Sequence, residues 1–85
     1  MKQFTYTIKD ELGIHARPAG LLVKAAKTYT SKIEIAANGK SSEATKLMAL
    51  MGLGIKCGQT IEVTVTGEDE EAACAGIQSF LAEHL

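Results

Sequence analysis

Apolar and polar residues alternate at the start of the chain, where Phe4, Tyr6 and Ile8 are interleaved with Gln3, Thr5, Thr7 and Lys9. A period of two marks a strand with one buried and one wet face. The alternation returns in Ile33 and Ile35, and again in Ile61, Val63 and Val65 against Glu62, Thr64 and Thr66. Between the second run and the segment Lys40 to Ala44 lies Asn38-Gly39, a strong signal for a two-residue type I′ hairpin. That register sets Ile35 opposite Ser42 and Ile33 opposite Ala44, so the third strand is mostly polar and suits a sheet edge.

Elsewhere the apolar spacing is helical. From Pro18 to about Lys27, Ala19, Leu22, Val23 and Ala26 fall on one side and Gly20, Lys24 and Lys27 on the other. Proline is favoured in a first helical turn, so Pro18 places the helix start within a residue or two of His15. After Gly67, the run Glu68 to Glu71 sets acid at a helix N-terminus with Asp69 as N-cap. Ala73, Cys74, Ile77, Phe80 and Leu81 supply its buried stripe, and His84 near its end complements the dipole. Between them, Lys46 to Gly54 is apolar almost all round. A helix this short, lying on a sheet, buries one side only. If Leu50 and Leu53 face the core, Leu47, Met48 and Met51 stay at the surface as a contact patch, since methionine adapts to several partner shapes. A fully buried helix is the competing reading.

The order is strand, helix, strand, strand, short helix, strand, helix. A helical crossover makes strands one and two parallel, and the fourth slots between them antiparallel. This predicts an α+β open-faced sandwich, a four-stranded antiparallel sheet of order 1-4-2-3 with three helices on one face.

At 85 residues the chain is expected to be one domain, 1–85, too small for a deep chamber and acting by its surface. A net charge of -1, with no aromatics interleaved on a basic face, argues against a nucleic-acid module. No apolar run is long enough to span a bilayer and no secretory signal opens the chain, so membrane insertion is not expected and the setting is read as cytoplasmic. Cys57 and Cys74 lack C-x-x-C spacing and are read as free thiols, Cys74 packing in the core and Cys57 exposed in a turn. His15 and His84 are far apart in sequence, which gives no support to a metal site, and no cofactor is expected.

The chemistry gathers in Gly13-Ile14-His15-Ala16-Arg17-Pro18-Ala19. The first N–H groups of a helix have no intrahelical acceptor, so around Ala16 and Pro18 they form an anion site. Histidine there supplies a nucleophile near neutral pH, and Arg17 a bidentate oxyanion donor. Together they suggest phosphate chemistry on the imidazole. The competing reading is a histidine that caps its helix or fills a pocket. Nothing near His15 in sequence supplies a paired carboxylate for acid–base hydrolysis or a serine nucleophile with an orienting acid, which ranks a hydrolase far lower.

With Asn38-Gly39-Lys40 and Leu53-Gly54-Ile55, this motif resembles the HPr family, the histidine-containing phosphocarrier proteins of the bacterial sugar phosphotransferase system, over essentially the whole chain. The resemblance implies a carrier, not a turnover enzyme. Enzyme I, charged from phosphoenolpyruvate, would phosphorylate His15 on Nδ1, Arg17 would be the phosphate partner, and IIA domains of sugar permeases would receive the group. Ala16, Gly20, Lys24, Lys27, Leu47, Met48 and Met51 would form the docking face, and the carrier would act as a monomer.

One departure stands out. Many relatives carry a regulatory serine at the start of the short helix, where this chain has Thr45-Lys46. With Lys46 there, serine regulation by HPr kinase is expected to be lost; Thr45 is read as a strand end or helix N-cap rather than a shifted acceptor. The alternative function is an HPr-like regulatory binding module working outside sugar transport.

Overall fold

The computed structural model describes residues Met1–Leu85. The strands are β1 (Lys2–Thr7), β2 (Lys32–Ala37), β3 (Lys40–Glu43) and β4 (Thr60–Thr66); the helices are α1 (Ala16–Ala26), α2 (Leu47–Met51) and α3 (Glu70–His84). The sheet order is β1-β4-β2-β3 with every neighbouring pair antiparallel, as the connection rules predict.

β4 pairs on both sides, with Phe4 and Tyr6 opposite Val63 and Ile61, and with Ile33 and Ile35 opposite Val65 and Val63. Its inward residues Ile61, Val63 and Val65 are fully buried, whereas Phe4 and Tyr6 on the edge strand β1 are only partly covered. The hairpin forms as expected. Asn38 and Gly39 both take positive φ, 54° and 76°, and Ile35 stands opposite Ser42. Formal pairing ends at Glu43, but the Ala44 N–H still donates to the Ile33 carbonyl at 2.8 Å.

Both long helices start where the sequence places them, and one expected cap bond does not form. α1 begins at Ala16, two residues before Pro18, because proline tolerates any first-turn position whose N–H lacks an intrahelical acceptor. Asp69 holds the N-cap position of α3, yet its side chain makes no cap bond. Its carboxylate accepts the N–H groups of Thr30 and Ser31 and the Ser31 hydroxyl instead, tying α3 to the loop before β2.

Ala19, Leu22, Leu50, Ile77 and Leu81 join the buried face of the sheet in one continuous apolar cluster. Val23, Cys74 and Phe80 pack against its rim. No helix is long and apolar enough to cross a membrane.

Candidate functional site

The loop from β1 to α1 is fixed at several points. The Asp10 carbonyl accepts the Gly13 N–H at 2.9 Å, and Asp10 Oδ1 accepts the Leu12 N–H at 2.8 Å. The Asp10 N–H donates to the Leu85 oxygen at 2.8 Å, and Ile14 N–H to the Ile55 carbonyl at 3.1 Å. Gly13, at φ 68°, is pressed so close to the backbone of Ile55 and Lys56 that a Cβ would collide with it. Glycine therefore lets the loop lie flat and deliver the chain into α1 at a set angle.

His15 is the N-cap residue of α1, in extended conformation at φ -116° and ψ 178°. Its side chain makes no cap bond and is 36 % exposed, which removes both the capping and the pocket-filling readings. Ala16 and Arg17 follow, both exposed, with N–H groups that have no intrahelical acceptor. The helix end therefore offers free donors and positive potential beside an imidazole that caps none of them.

His15, Arg17 and Pro18 share an open depression of about 260 Å³ with Asp10, Leu21 and His84. Sequence reasoning missed these last three. Asp10 was legible in principle, since an aspartate before a glycine turn commonly accepts an N–H two residues on. Its Oδ2 lies 3.8 Å from His15 Nε2. His84 comes from the other end of the chain, its ring 4.4 Å from that of Phe80 between centroids, and it belongs to the wall of this depression as well as to the end of α3.

The remaining predicted residues extend from this point. Lys24 and Lys27 are exposed along α1, and open space faces Gly20. α2 packs against α1 with Leu50 and Leu53 buried and with Leu47, Met48 and Met51 exposed by 38, 80 and 37 %. The fully buried alternative for this helix fails at Met48. Lys46, not Thr45, is the N-cap residue of α2, because Thr45 remains in the turn after β3. The Lys46 ammonium lies 3.7 Å from Glu43 Oε2, an exposed pair that offsets its unfavourable place at a helix N-terminus. Cys57 is exposed and Cys74 half-buried, both as free thiols.

The sequence signature described as "PTS HPr component phosphorylation site" matches residues 2–83. The chain is 39 % identical over 83 residues to the phosphocarrier protein HPr of Lysinibacillus sphaericus, covering 98 % of this chain and 94 % of that one. The crystal structure of HPr from Thermoanaerobacter tengcongensis superposes with a TM-score of 0.92 at 34 % identity, covering 98 % and 93 %. The Bacillus subtilis catabolite-repression protein Crh, described as a domain-swapped dimer, superposes with a TM-score of 0.78 at 30 % identity, covering 100 % and 98 %. Fold, site and likeness together define a phosphocarrier of the phosphotransferase system, not an enzyme. The chain belongs to the HPr family.

Proposed function

We propose that His15 accepts a phosphoryl group from phosphoenolpyruvate-charged enzyme I in the cytoplasm and passes it to IIA domains of sugar permeases. The observation that carries this reading is the imidazole of His15, about one-third exposed at the N-cap of α1 and making no cap bond. A neutral imidazole nitrogen attacks phosphorus with its lone pair, and the phosphoramidate formed is itself a good donor. Arg17 and the free N–H groups of the first turn compensate the charge on the phosphoryl oxygens. Gly20, Lys24, Lys27, Leu47, Met48 and Met51 form the docking face, and the carrier works as a monomer without a cofactor.

Likeness to Crh supports a second reading, a regulatory binding module outside sugar transport. Retention of His15 with Arg17 favours the carrier. Incubation with enzyme I and phosphoenolpyruvate, read by intact mass, should add one phosphoryl group to the parent that is stable in base and labile in acid. His15→Ala should add none, and undiminished labelling of that variant would overturn the assignment. Sedimentation of the same samples should give a monomer.

A further inference from the structure

We propose that Asp10 is a positioning residue for His15, holding the ring proton on Nε2 so that Nδ1 presents the free lone pair to phosphorus. This rests on the reading of His15 as the phosphoryl acceptor. Asp10 is itself immobilised by the bonds of its N–H to Leu85, of its carbonyl to Gly13 N–H and of its Oδ1 to Leu12 N–H. The atom left over is Oδ2, and it is this oxygen that lies 3.8 Å from His15 Nε2. That is ion-pair rather than hydrogen-bond distance, close enough for the carboxylate charge to favour the proton on Nε2 in the resting protein; contacts to a reacting histidine are often longer at rest than in the reacting complex. The other ionisable groups lining the depression do not compete for the role. Arg17 is a donor only, and His84 Nε2 faces Glu83 Oε2 at 3.9 Å.

A neutral imidazole carries one N–H, and a carboxylate beside one nitrogen draws the proton there. Nδ1 is then the nucleophile. In the transfer its lone pair forms the N–P bond while the bond from phosphorus to the donor breaks, its electron pair leaving with the donor. The ring retains its Nε2 proton and becomes a phosphoimidazolium, whose positive charge lies against Oδ2. On passing the group onward, the N–P pair returns to Nδ1 and a neutral ring leaves. No proton enters or leaves the imidazole in either direction. Two ring nitrogens pointing apart keep the Asp10 charge on the side away from the phosphoryl group.

Asp10→Asn makes the test sharp. With its Oδ1 still accepting the Leu12 N–H, its amide NH₂ occupies the place of Oδ2 and sets a donor against Nε2–H. Nitrogen-15 spectra of the unphosphorylated ring should show Nε2–H in the parent and a shift toward Nδ1–H in the variant. With charged enzyme I, kcat should fall roughly tenfold while KM holds, because the wrong tautomer removes the nucleophile and leaves docking intact. Asp10→Ala loses the Leu12 bond as well as the carboxylate, so a merely structural role makes it the slower variant. A positioning role makes Asp10→Asn the slower one. The parent tautomer and parent kcat in Asp10→Asn, or Asp10→Ala as the slower variant, would overturn the proposal. Because the tautomer is read without phosphorylation, it judges Asp10 separately from the carrier reading, which stands or falls with His15→Ala.

Discussion

The Asp69 carboxylate accepts the Ser31 backbone N–H at 2.9 Å and the Ser31 hydroxyl through the same oxygen, while its second oxygen accepts the Thr30 N–H at 2.9 Å. The Ser31 hydroxyl first, and the Thr30 N–H after it, hold the carboxyl below its ordinary range, against a smaller opposing effect of burial. A depressed folded-state pKa contributes stability that is complete above the unfolded value of ~3.9 and is lost as pH falls through the folded value. Asp69→Asn should therefore lower Tm at neutral pH, with the gap to the parent narrowing on acidification below about pH 4. Some acid sensitivity should persist in the variant, since Glu70 is held low by its ion pair with the terminal amine of Met1. A gap that stays constant with pH would show that the Asp69 charge is not what ties α3 to the loop.

Arg17→Lys retains the charge but loses the planar two-point grip on a phosphoryl group. Transfer from enzyme I should slow roughly tenfold, about 1.4 kcal/mol in the barrier, with Tm unchanged because Arg17 is exposed. Rapid-quench kinetics provide the check; a rate equal to the parent's would remove Arg17 from the phosphate site.

Gly20 lies inside α1 with open space where a methyl group would go. Gly20→Ala should stabilise the fold by about 0.5–1 kcal/mol through helix propensity alone. If partners press on this face, kcat/KM with enzyme I should fall in the same variant. Denaturant midpoints and transfer kinetics on one preparation separate the two effects.

The two sides of α2 should respond in opposite ways. Leu50 is fully buried, and Leu50→Ala should cost about 2–5 kcal/mol of stability. Met48→Glu should stay within about 0.5 kcal/mol of the parent in stability and weaken binding to enzyme I and IIA domains. Urea unfolding and calorimetric titration read these separately, and a large stability loss in Met48→Glu would place that side chain in the core.

Lys46 has no hydroxyl to phosphorylate and is engaged with Glu43. ATP and HPr kinase should leave the parent unlabelled at this position, while phosphorylation of His15 by enzyme I proceeds. Lys46→Ser should become a substrate if the surrounding surface still fits the kinase. Stoichiometric label mapped to Thr45, Ser41 or Ser42 in the parent would show a shifted switch.

The local elements were legible because each has a period or a breaker of its own. Phe4-Thr5-Tyr6, Ile61 to Val65 and Asn38-Gly39 specify strands and a turn through side-chain alternation and positive φ, properties that neighbours in sequence share. The sheet order followed from connection rules applied to those elements. His15, Arg17 and Pro18 were found because one helix start carries all three. The exposed side of α2 followed from an apolar surplus that a five-residue helix on a sheet cannot bury.

Tertiary structure alone decided which distant groups meet. Asp69 has the residue type and position of a side-chain N-cap, yet the loop at Thr30 and Ser31 presents three better-placed donors, and a carboxylate serves the donors that reach it. His84 reads as a helix-end cation until the packing of α3 carries it into the wall of the His15 depression. The placing of Asp10 Oδ2 toward Nε2 depends on Oδ1 being taken by Leu12 and on the backbone being held by Leu85 from the far terminus. Periodicity and propensity describe what a residue does within its own element. Packing of one element on another fixes the atom-to-atom distances on which proton placement and phosphoryl transfer depend.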